Sequence, residues 1–120
     1  MSQALKDRTK KFTLDVWTLC AKLPHSREYN NYVQQLLRCS SSVGANYRAA
    51  IRAKSNADFI NKLKIVEEES DESQFFLEIL EQINQNEALV PELVRLQKEA
   101  DELISIFVAS LKTARLNFNK

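Results

Sequence analysis

The amino-acid sequence predicts an all-α protein folded as an antiparallel, up-down-up-down four-helix bundle. Its 120 residues include only one glycine and two prolines, too few turn formers for strands joined by hairpins. Apolar residues recur every three or four positions in four long segments. The connections between these segments are short, so neighbouring helices are expected to run antiparallel.

The first helix is predicted over about residues 3–23, because Pro24 follows its apolar stripe and cannot continue a helix. Ser26 is the predicted N-cap of the second helix, which extends to about Ala53. The core-facing stripes are Phe12, Val16, Leu19 and Leu23 in the first helix, and Val33, Leu36, Ser40, Val43, Tyr47 and Ala50 or Ile51 in the second.

The third helix is predicted from a cap at Ser55, with Asp58 as the acid of a capping box, to about Asn84. Pro91 and Glu92 suit the first turn of the fourth helix. Without a long linker or an internal repeat, residues 1–120 are expected to form a single domain. The remaining stripes are Phe59, Leu63, Val66, Ser70, Ser73, Leu77 and Leu80, then Leu93, Leu96, Ala100, Leu103, Phe107, Leu111 and Ala114.

The stretch RCSSSVGANYRAA, residues 38–50, holds the only glycine and could be a phosphate loop or a slender part of a helix. A phosphate loop needs several glycines, a lysine followed by Ser or Thr, and a preceding strand, and the sequence has none of these. We therefore predict a continuous helix whose small residues allow a close helix crossing. Gly44 costs that helix about 1 kcal/mol relative to alanine.

Composition points to a cytoplasmic protein. No apolar run reaches the length of a membrane span, and the first residues, MSQALKDRTKK, lack the apolar core of a signal peptide. Cys20 and Cys39 have no metal-ligand or disulfide spacing, so we expect buried thiols in a reducing compartment. Residues 1–64 carry twelve Lys or Arg against four acids, and residues 65–120 five against twelve; antiparallel packing would mix the two halves.

One long stretch, VGANYRAAIRAKSNADFINKLKIVEEESDES at residues 43–73, resembles the four-helix-bundle proteins encoded in intervening sequences of bacterial 23S rRNA genes. FTLDVW, QLLR and FFLEIL extend the resemblance over most of the first three helices. Many relatives have tryptophan where this chain has Phe76. Other branches have proline for Gly44 and glutamate for Ala49, so no role of that acid is transferred here.

The resemblance implies a compact bundle that assembles into a ring of five subunits and has no established catalytic activity. A distant relative, the accessory variability protein of diversity-generating retroelements, looks like the same bundle and binds a reverse transcriptase and nucleic acid. By this analogy, RNA is one expected partner. A partner polypeptide such as a reverse transcriptase is the alternative.

Basic residues are the candidate nucleic-acid contacts. The first helix begins at the end of the bundle where the second finishes, so cations from both gather there, where phosphates could bind by counterion release. Net charge is only +1, and no RNA-recognition motif is present. Tyr29 and Tyr47 could stack on bases, although Tyr47 lies on the core stripe. The seven predicted contacts are Lys6, Arg8, Lys10, Lys11, Arg48, Arg52 and Lys54.

Apolar residues away from the main stripes predict a subunit interface. Isolated surface apolar residues are common, but strips on two adjacent helices favour self-association. The predicted interface residues are Ile65, Phe76 and Ile79 on the third helix and Ile106 and Val108 on the fourth, where Leu116 also points away from the principal face.

Catalysis, cofactors and metals are not expected. Arg38 should lie level with Asp71 and Glu72, which predicts a structural ion pair between the second and third helices. A di-iron bundle requires two ExxH pairs, whereas His25 is the only histidine. Paired carboxylates without a pocket or nucleophile do not make a hydrolase. Two functions remain: an oligomeric RNA-associated protein, or a scaffold that docks a partner polypeptide.

Overall fold

The computed structural model describes residues 3–118 and confirms an all-α four-helix bundle. Helices α1 (Gln3–Cys20), α2 (Arg27–Ile51), α3 (Asn56–Ile83) and α4 (Val90–Phe118) form a rod with principal extents of 52 × 21 × 21 Å. A short 3-10 turn, Glu87–Leu89, precedes α4. The first two and last two residues of the predicted domain lie outside the described part.

Serine caps begin α2 and α3, as the sequence predicts. The hydroxyl oxygen of Ser26 accepts from the amide of Tyr29, and that of Ser55 accepts from the amide of Asp58, each at 3.1 Å. The first helix ends earlier than predicted, at Cys20, because the amides of Lys22 and Leu23 bond to carbonyls three residues back and not four. The side chain of Leu23 is nevertheless buried, with 3% of its surface exposed, because the turn keeps this residue against the core.

Side-chain contacts show that α1 and α2 run antiparallel. The hydroxyl of Thr13 donates to the carbonyl of Ser40 at 2.8 Å. One turn earlier on α1, Thr9 lies beside Gly44, one turn later on α2. Residue numbers therefore rise along one helix as they fall along the other.

The α2–α3 pair shows the same arrangement. The hydroxyl of Tyr29 donates to the carbonyl of Ile83 at 3.2 Å, at one end of the bundle. Further along, the hydroxyl of Ser73 donates to the thiol sulfur of Cys39 at 3.3 Å. Both contacts fit two long helices joined by a tight connection and packed antiparallel.

Helix α4 closes the bundle by packing along α3 and pairing with α1 through charged side chains. Arg8 near the start of α1 meets Glu99, whereas Asp15 further along meets Arg95. This order makes α1 and α4 antiparallel as well. The seam between them has an ionic outer surface.

The core contains most residues of the predicted stripes of all four helices, although Ala114 on α4 is only partly buried. Tyr47 and Phe107 are fully buried at its centre, with ring centroids 5.5 Å apart. Val33 and Phe59, at the edges of their stripes, are only partly buried. The largest fully buried side chains are Tyr47, Phe12, Phe107, Leu19, Leu36, Leu63, Leu77, Leu80, Leu93, Leu96, Leu103 and Val16.

The predicted slender segment is an uninterrupted part of α2. Gly44 lies in the helix interior without a positive φ angle. A Cβ built on it would lie 3.6 Å from three Thr9 atoms, two of them backbone, which is ordinary van der Waals contact. The helices approach closely here, and one methyl group would still fit.

Candidate nucleic-acid interface

An open groove of about 490 Å³ lies on the surface between α1 and α2. Four cations line it: Lys6 and Lys10 from α1, and Arg48 and Arg52 from the end of α2. The groove lies near the end of the bundle where α1 begins and α2 finishes. The other lining residues are small, hydroxylated or apolar: Thr13, Leu14, Ser41, Gly44, Ala45 and Ala49.

Helix geometry brings the four cations together. Lys6 and Lys10 are four residues apart and share one face of α1, and Arg48 and Arg52 are spaced in the same way at the end of α2. Antiparallel packing sets the two pairs across the groove from each other. Small α2 residues between the two pairs, such as Ala45, do not fill the space and so leave a groove.

The groove is an electropositive surface without an internal counter-charge. Its lining includes no aspartate or glutamate. Within residues 3–118, no carboxylate forms an ion pair with Lys6, Lys10, Arg48 or Arg52. These four charges are therefore available to an anionic ligand.

Arg8 and Lys11 differ from the four groove cations. Arg8 donates two hydrogen bonds of 2.7 Å to Glu99 and one of 3.1 Å to Glu102. Lys11 pairs with Asp15 at 2.7 Å. Both lie on the α4 side of α1, because their spacing from Lys6 and Lys10 turns them away from α2.

The α1–α4 ion pairs shift the ionisation of their members. Hydrogen bonding to Glu99 raises the pKa of Arg8 above its usual value. For Asp15, burial raises the pKa, but hydrogen bonds from Lys11 and Arg95 outweigh it and hold the pKa below its usual value. Arg8 and Lys11 are therefore paired within the bundle, and their role in nucleic-acid binding stays a prediction.

The remaining predicted contact, Lys54, is exposed in the connection between α2 and α3. It is not part of the groove lining. Sequence reasoning missed other cations at the same end of the bundle, on α3 and α4: Lys62, Lys112 and Arg115. Lys112 and Arg115 could have been found from the sequence, because the predicted topology places the C-terminal end of the fourth helix at the same end of the bundle.

Neither tyrosine considered for base stacking lines the groove. Tyr47 is fully buried, as its place on the core stripe predicts. Tyr29 is partly buried and bonds the last carbonyl of α3, at the end of the bundle away from the groove. The aromatic contact between Tyr32 and Phe76, with centroids 6.2 Å apart, likewise belongs to α2–α3 packing.

The predicted α2–α3 ion pair is present with one change of partner. Arg38 donates to Glu72 at 2.5 Å and to Glu69 at 3.4 Å. Asp71 is exposed and takes no part in this pair, because its position on α3 turns it away from α2. Burial raises the pKa of Glu69, and the charge of Arg38 opposes that rise.

The predicted interface residues differ in exposure. Phe76 and Ile106 pack partly against the chain's own core, because they lie beside a neighbouring helix. Ile65 and Ile79 are partly buried, whereas Val108 is 49% exposed. Leu116, on the same helix, is 61% exposed. Their role in self-association stays a prediction.

The two cysteine thiols are buried, and their pKa values are raised. Burial raises the pKa of Cys20 to about 11, and burial also raises that of Cys39 against an opposing hydrogen bond from Ser73. Across residues 3–118, no group of three or more His, Cys, Asp or Glu is placed to hold a metal ion. His25 is exposed in the connection after α1.

No helix of the described residues has an apolar stretch long enough to cross a membrane.

Comparison with known proteins decides the family. The model of the family described as "23S rRNA-intervening sequence protein" matches residues 3–109. The chain belongs to this family. That match covers the groove, the ion pairs and most of the core, so the whole site described above lies within the family's domain. No curated protein is similar enough to count as a match.

One solved structure is similar to this chain over most of the length of both proteins. It is a protein of unknown function from the S23 ribosomal protein family of Bacteroides thetaiotaomicron, with 30% sequence identity and a TM-score of 0.76. The similarity covers 89% of this chain and 97% of the other. The family and this relative carry no indication of catalysis.

Proposed function

We propose that this protein is a non-enzymatic, oligomeric bundle that associates with RNA through the basic groove between α1 and α2. The supporting observation is a concave surface with four cations and no acid in its lining. Phosphate groups bind such surfaces by releasing condensed counterions, without reading base sequence. The family is named for intervening sequences of 23S rRNA, so ribosomal RNA is the first RNA to test.

Salt dependence measures the number of phosphates bound. For each phosphate neutralised, the base-10 logarithm of the association constant falls by about 0.7 to 0.9 when the salt concentration rises tenfold. A groove that engages all four cations should therefore give a slope of roughly −3 to −4 per subunit. Filter binding over a range of salt concentrations measures this slope.

Charge-neutralised variants separate the groove from general surface charge. The test variant replaces Lys6, Lys10 and Arg48 with glutamine. Its matched control replaces Lys62, Lys112 and Arg115, which removes the same charge at the same end of the bundle but outside the groove. We expect the groove variant to lose most RNA affinity and the control to lose little. Equal affinity in the two variants would reject the groove as the binding site.

Self-association would increase the effect of the groove. A ring of five subunits would repeat the four cations five times and raise the local potential. Exposed apolar residues on α4, Val108 and Leu116, support an interface between copies. Sedimentation at micromolar concentration tests this part of the proposal, and a monomer would contradict it.

Docking of a partner polypeptide, such as a reverse transcriptase, is the second candidate function. Apolar residues at the end of the bundle away from the groove favour it: Ile83, Val90 and Val94 are 39%, 41% and 49% exposed. A pull-down after nuclease treatment should then recover a partner. A partner lost on substitution of Val90 and Val94 by serine would support this function, and an empty pull-down would count against it.

A further inference from the structure

Trp17 is exposed on the same side of α1 as the groove cations. The indole is 63% exposed, although tryptophan is usually well buried in folded proteins. Lys6, Lys10, Thr13 and Trp17 follow one another at spacings of four, three and four residues, which places them on one helix face. Trp17 therefore continues the line of the groove toward the middle of the rod.

The groove and Trp17 form one continuous surface. Leu14, which lines the groove, is 56% exposed and lies three residues before Trp17. The rise of an α-helix puts Trp17 about 10 Å beyond Lys10 along the axis. A ligand that enters between the cations can thus reach an exposed aromatic and aliphatic surface without leaving α1.

We propose that Trp17 is a stacking platform for a base of single-stranded RNA whose phosphates lie in the groove. This inference rests on the proposed function and names the form of RNA. In a duplex the bases are stacked inside and cannot reach an indole ring, whereas an unpaired strand can present a base face. Single-strand-binding proteins combine a basic groove with aromatic platforms in this way.

The absence of acids from the groove lining favours an RNA occupant over a second copy of this chain. A second copy would bring mixed charge to the surface, because the protein carries 17 Lys or Arg and 16 Asp or Glu. Single-stranded RNA brings only negative phosphates together with flat, apolar base faces. Both parts of the surface are matched by that one ligand.

Tryptophan fluorescence tests the proposal directly, because Trp17 is the only tryptophan in the chain. The full chain is titrated with a short single-stranded RNA of mixed sequence, with the same strand annealed to its complement, and with inorganic polyphosphate. We expect quenching by the single strand, and little change with the duplex or polyphosphate. Equal quenching by all three would overturn the proposal.

Substitution supplies a second readout. Trp17→Ala should weaken single-strand binding by about 5- to 150-fold, the range that corresponds to loss of one base-stacking contact, and should leave duplex binding within about twofold. Trp17→Phe should retain part of the affinity, since it keeps a flat ring. The matched control is Phe75→Ala, which removes another aromatic side chain, 53% exposed on α3, and should not change binding.

The outcomes distinguish this inference from the proposed function. If RNA still binds through the groove cations but Trp17→Ala has no effect, the stacking platform is rejected and the RNA groove stands. If no RNA binds the wild-type chain, both are rejected. If Trp17→Ala shifts the oligomeric state in sedimentation, a second copy covers the indole and the platform is again rejected.

Discussion

Replacing Gly44 by alanine should stabilise the protein. The glycine lies inside α2, where it costs about 1 kcal/mol of helix propensity relative to alanine. An alanine Cβ would meet three Thr9 atoms at 3.6 Å, an attractive distance. Contacts of this kind add about 0.1 to 0.2 kcal/mol each, so the total gain is about 1 to 1.5 kcal/mol.

Thermal unfolding followed by far-UV circular dichroism measures this gain. The entropy of unfolding of a chain of this length converts 1 kcal/mol into about 4 °C, so Gly44→Ala should raise Tm by about 4 to 6 °C. Protein concentration must be equal in all samples, because self-association would itself shift Tm.

Ala45→Gly is the matched control, since Ala45 is the exposed neighbour of Gly44 in the same helix. It should lose about 1 kcal/mol through propensity alone. The double variant, Gly44→Ala with Ala45→Gly, should return close to the wild-type Tm. If Gly44→Ala instead lowers Tm while the control behaves as expected, α1 and α2 cross too closely for a methyl group, and the reasoning is refuted.

Four other predictions concern the packing of Phe107, the thiol of Cys20 and the ion pairs of Asp15. Phe107→Ala should cost about 3 to 5 kcal/mol in denaturant unfolding, because the ring is fully buried against Tyr47; a loss below about 1 kcal/mol would contradict that packing. Burial raises the pKa of the Cys20 thiol to about 11, so the thiolate is scarce at neutral pH and the folded protein should resist thiol reagents. The same raised pKa makes stability fall as pH rises from about 9 to about 11, and Cys20→Ala should flatten that slope in urea titrations. Asp15 has a lowered pKa, so its ion pairs stabilise the fold above the usual aspartate range and are lost as pH falls through the lowered value. Asp15→Asn should therefore cost about 1 kcal/mol at neutral pH and nothing in strong acid; an equal loss at both pH values would rule out an ionic origin.

Local sequence signals predicted most of the fold. Serine caps at Ser26 and Ser55 and the apolar stripes placed α2 and α3 within a few residues, because capping and helical periodicity depend only on nearby residues. The end of α1 was misplaced by three residues, since Leu23 continues the apolar stripe while its backbone has already tightened into a turn. The spacing of apolar residues indicates which side chains are buried, but it does not indicate where the backbone hydrogen bonds change from four to three residues back.

The candidate site was only partly predictable. Sequence alone placed the basic residues at one end of the bundle, but it could not separate Lys10, which lies in the groove, from Arg8, which is held by Glu99. That separation depends on which neighbouring helix each face of α1 meets. For the same reason, Glu69 and not Asp71 joins Glu72 beside Arg38.

The sequence by itself determined the helices, their caps, their buried faces and the continuity of α2 through Gly44, because these follow from interactions within a few residues of chain. Tertiary structure alone decided which charges are paired across helices and which remain open to a ligand. It also decided that the small residues of α2 form the floor of a groove. Both outcomes depend on how the helices rotate against one another, and contacts between distant residues set that rotation.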